Sequence, residues 1–436
     1  MASRILRVLV AAAVPAAVLA QQQPTFRSSV EVVAVNAQVM DPDGGPISTL
    51  ATKDFHAWIN GQSRRVLSAN LIQYPLRTPM NVFPRTFMDF DFIQGDVPEV
   101  RGRVFILAID EMSFTSRELP TVVQTAKRFL DRLKPEDVAG LYAYPFAAGR
   151  LDLTHFHKTI GLALDHIQGL AEPLKGEFTI SPSEIADITA GDGHVFAQVV
   201  DRECGDAFRT FDTECPLRLR AEADGRAAFA QSQSENSYYG LRNLLKVLTQ
   251  FSGPKTVVLL SGGLFTSDRV GAQPDVATLL QTASKYVSAA DATLYALHVD
   301  NSFLDTYSAS APAVHTQNPR QQNSDTTAAV DLSAPTTPVR ATDRYLSQAR
   351  DAELFALGLQ RIAGETGGEY IRIAAGSGDI AFDRVLKETS AYYLLGVQPE
   401  SADRDGRVHF IRVKVDPKGM TVRARQQVTI PKPTGG

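Results

Sequence analysis

Apolar and polar residues alternate strictly near the two ends of the chain. Residues 26 to 74 contain VEVVAVNAQVMD, in which branched residues recur at every second position, and shorter apolar stretches flank Asn60-Gly61. Beyond Gly378, the stretches TSAYYLLGVQP, VHFIRVKVDPKG and MTVRARQQVTIP show the same pattern. A period of two residues predicts half-buried β-strands, and Asp416 to Gly419 are typical of a hairpin turn. We expect the strands of both ends to meet in one β-sandwich-like domain.

The middle of the chain follows a different pattern. Val104 to Asp110 is an apolar run of strand type, and apolar residues recur at helical spacing from Ser116 to Leu133. The same reasoning predicts strands at 138–144, 151–154, 256–261 and 293–299, and helices at 158–170, 275–290 and 354–368. Strands that alternate with helices are typical of a mainly parallel sheet with helices on both faces. The predicted fold is this α/β domain, inserted between the two halves of the β domain.

Two stretches interrupt the α/β pattern. Residues 171–232 contain helical pieces and predict a helical insertion. Residues 303–350 are rich in Ser, Thr, Ala, Pro and Gln, with almost nothing to bury, and predict a disordered loop. The resulting boundaries are a signal peptide at 1–20, the first half of the β domain at 26–100, the α/β domain at 101–385 and the second half of the β domain at 386–431.

The first twenty residues have the pattern of a secretory signal. A basic start precedes the apolar segment Val8 to Ala20, which ends in small residues. We expect cleavage near Ala20 and export to the periplasm or the extracellular space, and no later stretch is long and apolar enough to span a membrane. Because an exported protein meets oxidising conditions, Cys204 and Cys215 predict a disulfide.

Composition narrows the classes of function. The chain has 436 residues and a formal net charge of -4, so it lacks the basic surplus expected of a protein that binds nucleic acid. None of the motifs of nucleophile elbows, phosphate loops, zinc proteases or dinucleotide sites occurs in it. We therefore predict a protein that is not an enzyme and has no nucleic-acid partner.

Several stretches resemble a known family. They are VFILAIDEMSF, RFLDRLKPEDVAGLYAY, GPKTVVLLSGG and IAGETGGEY in the middle, VEVVAVNAQVMDPDGGPISTLATKDFHAWING near the start, and YYLLGVQPESADRDGRVHFIRVKV near the end. Residues 104–300 and 354–385 resemble a von Willebrand factor type A (VWFA) domain, a Rossmann-type α/β fold. The whole arrangement resembles the exported bacterial VWFA-related family of the acidobacterial type. This resemblance implies a divalent cation at the C-terminal edge of the sheet, where a carboxylate of a protein partner completes its coordination.

The cation site of that family uses Asp-x-Ser-x-Ser after the first strand, a Thr in a later loop, and an Asp after the strand that here reads TVVLLS. Asp110 matches the first position, but Met112 and Phe114 stand at the two serine positions. Ser261-Gly262-Gly263 stands where the family has its late Asp. The resemblance therefore implies a degenerate site that functions without a metal ion.

Other oxygen donors keep a site for a cation such as Mg²⁺ open as an alternative, because hard cations prefer oxygen ligands. The candidates are Ser113 and Thr115, if the loop bulges by one residue, Asn236 or Ser237 in the predicted loop SQSENSYYG, and the carboxylates of Glu111 and Asp268. Without a cation, we expect Asp110 to cap the helix that begins near Ser116 or to bond loop amides.

The sequence thus predicts a protein-binding or adhesive module that recognises its protein partner at residues 110–116, 233–240 and 261–268. The residues expected to form this edge are Asp110, Glu111, Ser113, Ser237, Ser261 and Gly262. Two alternatives stay open: a secreted hydrolase that uses Asp110 and Glu111, and an envelope scaffold that makes its contact through the cysteine-bearing insertion.

Overall fold

A computed structural model describes residues 32–74, 102–145, 151–172, 176–204, 213–251, 253–275, 286, 289–300, 339–374, 378–416 and 418–432. The predicted signal peptide, residues 303–338 of the predicted disordered loop and most of the helix predicted at 275–290 lie outside these ranges. Within the described ranges, no helix is both long enough and apolar enough to cross a bilayer.

The described strands are β1 (Val33–Met40), β2 (Phe55–Ile59), β3 (Gln62–Arg64), β4 (Val66–Gln73), β5 (Val104–Asp110), β6 (Val138–Tyr144), β7 (Lys255–Ser261), β8 (Ala292–Asp300), β9 (Glu369–Ala374), β10 (Ala391–Val397), β11 (Val408–Val415), β12 (Thr421–Ala424) and β13 (Gln427–Thr429). The described helices are α1 (Leu119–Asp131), α2 (His157–Ala163), α3 (Pro182–Thr189), α4 (Gly193–Cys204), α5 (Cys215–Leu248), α6 (Val339–Glu365) and α7 (Asp379–Glu388). Short 3₁₀ turns lie at Thr52–Asp54, Glu111–Ser113, Leu164–His166 and Ser401–Asp403.

The central sheet is parallel, with the strand order β6-β5-β7-β8-β9. Every residue of β7 is buried, which explains the apolar run from Val257 to Leu260 at its centre. Because successive side chains of a strand point to opposite faces, one set from β5 packs with α1 and α7, and the other set packs with α5 and α6. The prediction of a mainly parallel sheet with helices on both faces is confirmed.

Two antiparallel sheets combine strands from before and after the central sheet. Their orders are β12-β1-β10-β4 and β13-β11-β2-β3. The inner faces share one apolar core, in which Val35 and Leu395 of the first sheet join Ile59 and Ile411 of the second. The N-terminal strands therefore pair with the C-terminal strands, as the sequence predicts.

Several boundaries and connections differ from the predictions. The hairpin predicted at Asp416 to Gly419 is wrong, because β11 pairs with β2 whereas β12 pairs with β1 in the other sheet. The strand predicted at 151–154 is reduced to an isolated bridge between Ala139 and Thr154. The helix predicted at 158–170 ends near residue 166, in a 3₁₀ turn.

The C-terminal half of the α/β region also differs from the prediction. Residues 339–350, predicted to be part of a disordered loop, form the beginning of α6. No strand was predicted at the position of β9, and no helix at that of α7. β9 is an edge strand whose residues are mostly half-buried, so its apolar signal is weak.

The insertion has a small core of its own. α3, α4 and the first part of α5 enclose apolar side chains that include Ile185, Val199 and Leu219. Cys204, at the end of α4, is disulfide-bonded to Cys215, at the start of α5, so the predicted disulfide is confirmed. This bond fixes the beginning of α5 against α4.

α5 is a single helix of 34 residues. The loop predicted at 233–240 is wrong, because these residues lie within α5. The helix runs from the insertion to the face of the central sheet, where Leu241 and Leu245 join the core. Its middle therefore passes the C-terminal edge of that sheet.

Candidate functional site

Asp110 ends β5 and is 1% exposed to solvent. The Ser237 hydroxyl on α5 donates a hydrogen bond of 2.8 Å to Asp110 Oδ1. The Ser261 hydroxyl at the end of β7 donates a bond of 3.3 Å to Asp110 Oδ2. Because β5 and β7 are parallel neighbours, their C-terminal ends lie at the same edge, and α5 brings in the third residue.

Ser113 joins the loop after β5 to the loop after β7. Its hydroxyl donates to the carbonyl oxygen of Asp110 at 2.7 Å and accepts from the Gly262 N–H at 2.8 Å. A Cβ on Gly262 would lie 2.3 Å from the Ser113 carbonyl oxygen. Gly262 therefore allows the close approach of these two loops.

His298, on β8, supports the same loop from the other side. Its Nε2 lies 3.0 Å from the Gly262 carbonyl oxygen, and its Nδ1 lies 2.7 Å from the Tyr370 hydroxyl. Burial lowers the pKa of His298, so the neutral ring is favoured. The backbone of Gly262 is thus fixed on both sides.

Burial dominates the electrostatics of Asp110. It raises the pKa of this carboxyl to about 7, although hydrogen bonds from Ser237, Ser261 and the Met112 amide act in the opposite direction. The negative charge of Glu111 raises the pKa of Asp110 further, as the smallest of these effects. Asp110 therefore changes its charge near neutral pH.

The other predicted carboxylates have separate roles. Glu111 Oε1 accepts the Gln168 N–H at 3.0 Å, which holds the loop after α2. Asp268 forms an ion pair of 3.0 Å with Arg350. Of the two roles predicted for Asp110 without a cation, the cap of the helix near Ser116 is wrong, and the bond to a loop amide is confirmed at Met112, beside the two serine hydroxyls.

A cavity of about 240 Å³ opens above this cluster. Its walls come from the loops after β5 and β7, from the middle of α5 and from α6. The lining residues are Met112, Ser113, Ala171, Glu172, Ala230, Gln233, Ser234, Ser237, Gly262, Gly263, Leu264, Phe265 and Phe355. Of the six predicted edge residues, Ser113, Ser237 and Gly262 line the cavity, whereas Asp110 and Ser261 lie beneath it.

Gln233 is the one polar side chain of this cavity whose buried donor lacks a partner among the described residues. Its Nε2 atom is buried and makes no hydrogen bond. The neighbouring Ser234 hydroxyl, by contrast, donates to the Phe265 carbonyl oxygen at 2.8 Å. A buried amide without a partner is costly, so the Gln233 amide is available to a ligand that enters the cavity.

The donor set does not fit a magnesium site. Mg²⁺ requires near-octahedral oxygen coordination and keeps several of its waters, but Asp110 is 1% exposed and both of its carboxylate oxygens already accept hydrogen bonds, from Ser237 and Ser261. The Ser113 hydroxyl is already hydrogen-bonded to two backbone groups, the Asp110 carbonyl oxygen and the Gly262 N–H. In the part of the chain that the structure describes, no group of three or more His, Cys, Asp or Glu side chains is arranged to hold a metal ion.

Gln233 and Phe265 lie within the predicted ranges 233–240 and 261–268 but were not named as site residues, and Phe355 lies outside every predicted range. Gln233 follows Ala230 by three residues and precedes Ser237 by four, a spacing that places them on one face of a helix. The signal was therefore present in the sequence but required a helix where a loop was predicted.

Comparison with protein-family models and with curated protein sequences returns no match for this chain.

Proposed function

We propose that the protein is an exported binding module that recognises a protein partner at the C-terminal edge of its parallel sheet without a metal ion. The observation that carries the proposal is the buried Gln233 amide, without a described partner, in the wall of the cavity. Open α/β sheets bind their ligands outside the carboxyl ends of the strands, which is where this cavity lies. The cavity is large enough for one side chain of a partner.

The lining selects the chemistry of that side chain. Leu264, Phe265 and Phe355 offer apolar contacts, and Gln233 offers a hydrogen-bond donor. Glu172 adds a carboxylate to the wall, and Asp110 lies beneath. Since two acidic groups disfavour a third, the ligand is a neutral acceptor, such as an Asn or Gln carboxamide or a main-chain carbonyl.

We infer the VWFA-like relationship from the sequence stretches quoted above together with the five-stranded parallel sheet. In this interpretation, the Asp110 cluster is a degenerate metal-ion-dependent adhesion site in which serine hydroxyls replace the cation. Export is inferred from the basic and apolar N-terminal segment, and the Cys204–Cys215 disulfide supports it.

The two alternatives have less support. A hydrolase would need its carboxylates in one pocket, but neither Asp110 nor Glu111 lines the cavity, and Glu111 is bonded to the Gln168 amide. A scaffold that binds through the insertion would use the region of the disulfide, whereas the buried donor without a described partner, Gln233 Nε2, lies in the cavity at the sheet edge.

The test is a selection of displayed peptides on the purified protein in the presence of EDTA. We expect binders that contain Asn or Gln, with affinities that fall about five- to tenfold in Gln233→Leu, the loss expected for one neutral hydrogen bond. Gln250→Leu is the matched control, because Gln250 is exposed and lies two residues beyond the C-terminal end of α5. Binders that require Mg²⁺, or that are insensitive to Gln233→Leu, would overturn the proposal.

A further inference from the structure

The two antiparallel sheets leave two strand edges open beside one another. β12 is the edge strand of its sheet and pairs with β1 on one side only. In the other sheet, β13 covers only Val408 to Phe410 of β11. Residues Ile411 to Val415 of β11 pair with β2 on one side and with no described strand on the other.

A groove of about 1080 Å³ lies between these edges. One wall is formed by residues 411–416, and the other includes Met420, Val422 and Ala424. The Ile411 N–H donates toward the groove side, to the Gln426 carbonyl oxygen at 2.8 Å, whereas the Asp416 N–H donates to Asp54 beside β2. Because successive residues of a strand point to opposite sides, Val413 and Val415 present their backbone groups to the groove.

The side chains around the groove are basic and aromatic. Arg412, Lys414 and Lys418 are exposed, and none of them forms a salt bridge with a described residue. Phe410 is 68% exposed, and the Lys414 Nζ lies 6.0 Å from the centre of the Trp58 ring. This local positive charge contrasts with the net charge of -4 of the whole chain.

The carboxylate of the groove offsets only one of these positive charges. Asp416, the acidic residue of the lining, bonds to the ring of His56 at 2.6 Å. Arg425, by comparison, is already engaged with the Ala34 carbonyl oxygen and faces Asp291 at 3.9 Å, so it is not counted among the available cations. Three cations therefore face the solvent along one open strand edge.

We propose that this groove binds an extended, acidic peptide segment of a partner protein, which adds to the sheet as a strand beside β11. An open backbone edge recognises a peptide, because only a peptide supplies donors and acceptors at strand spacing. The three cations select acidic side chains, and Trp58 and Phe410 pack against the segment. Because the Ile411 N–H is already bonded to Gln426, the open edge is the stretch from Arg412 to Val415, about 13 Å long, which matches a segment of about four residues. The site is separate from the Asp110 cavity and goes beyond the function proposed for it.

The probe is a fluorescein-labelled peptide of eight residues in which Glu and Thr alternate, with binding followed by fluorescence anisotropy. We expect saturable binding that weakens at least tenfold in Lys414→Glu and in Arg412→Glu. Lys246→Glu is the matched control, because it makes the same charge change on an exposed position of α5 and is expected to bind as wild type. Circular dichroism of each variant confirms that its fold is retained.

Two further probes test whether the groove recognises the peptide backbone or only negative charge. The same peptide N-methylated at alternate residues keeps its charge but loses backbone donors, and we expect it not to bind. Oligogalacturonate carries carboxylates without amides, and we expect it not to compete. Equal binding of either compound would overturn the proposal in favour of a general polyanion surface. Absence of peptide binding, or self-association that Lys414→Glu abolishes, would overturn it as well, the latter by placing a second copy in the groove.

Discussion

The strand β5 has a buried carboxylate beside each of its ends, and the two are stabilised in opposite ways. At the N-terminal end, Asp137 is 2% exposed and forms two hydrogen bonds, of 2.6 and 2.9 Å, with the guanidinium of Arg103. At the C-terminal end, Asp110 is 1% exposed and contacts the hydroxyls of Ser237 and Ser261. Among the described residues, no cationic side chain bonds to Asp110.

The two carboxylates differ in whether a neighbouring cation compensates their charge. The Arg103–Asp137 pair also contacts the Leu386 carbonyl oxygen, so it ties β5 to the end of α7. Its charges compensate each other within the protein. The Asp110 cluster lacks that compensation, because hydroxyl dipoles stabilise a carboxylate less than a cation does. The C-terminal end is therefore the one whose charge responds to its surroundings.

Disruption of the Arg103–Asp137 ion pair should reduce stability the most. Arg103→Met leaves Asp137 buried without a cation, and we expect a loss of about 3 to 5 kcal/mol in the free energy of unfolding. Denaturant unfolding at pH 7 measures it. The double variant Arg103→Met, Asp137→Leu is the control and should recover most of the loss, because it removes both charges. A single variant as stable as wild type would show that the pair contributes little.

Removal of a serine hydroxyl that bonds to Asp110 should reduce the free energy of unfolding by less. Ser237→Ala removes a hydrogen bond to a buried carboxylate, and we expect a loss of about 1.5 to 3 kcal/mol at pH 8, where Asp110 is ionised. Ser261→Ala, whose bond is longer at 3.3 Å, should cost less than Ser237→Ala in the same unfolding experiment. The reverse order would contradict the assignment of the stronger bond.

The raised pKa of Asp110 makes the free energy of unfolding depend on pH. The pKa of Asp110 is about 7 in the folded protein, above the value of about 3.9 for an unfolded chain, so the folded state retains a proton that the unfolded state has released. Stability from this group is therefore lost as pH rises, by about 2 kcal/mol between pH 5 and pH 7. We expect the difference in unfolding free energy between wild type and Asp110→Asn to fall over this interval. A difference that is flat, or that rises with pH, would contradict a raised pKa.

Substitution of Glu111 is expected to have the smallest effect on stability, because Glu111 does not belong to the Asp110 cluster. Glu111→Gln keeps an oxygen that accepts the Gln168 N–H, and we expect a change of about 1 kcal/mol or less in the free energy of unfolding. A cost as large as that of Ser237→Ala would show that Glu111 acts together with Asp110, as the hydrolase alternative requires.

The sequence predicted the parts of this comparison that depend on long apolar runs. β5, β6 and β7 lie within one residue of their predicted bounds, because strands buried on both faces are continuously apolar. The position of Asp110 at the sheet edge follows directly. Ser237 was also expected at this edge, although in a loop.

The remaining site residues could not be predicted, because they are buried although they are small or polar. Around residue 235, α5 buries Ala230, Ser234 and Ser237 toward the sheet edge, so its inner face is small and polar and lacks an apolar stripe. The cavity and the open edge of β11 arise from contacts between distant segments. No local pattern in the sequence encodes those contacts.

The central claim is that serine hydroxyls, and not a cation, stabilise Asp110 at the edge of the sheet. The most direct measurement is a calorimetric titration of Mg²⁺ and Mn²⁺ into the protein after treatment with EDTA, with Asp110→Asn as control. We predict no saturable heat up to millimolar concentrations and no shift in melting temperature. Saturable binding in the wild type that the Asp110→Asn variant lacks would contradict the claim and establish a cation-dependent site.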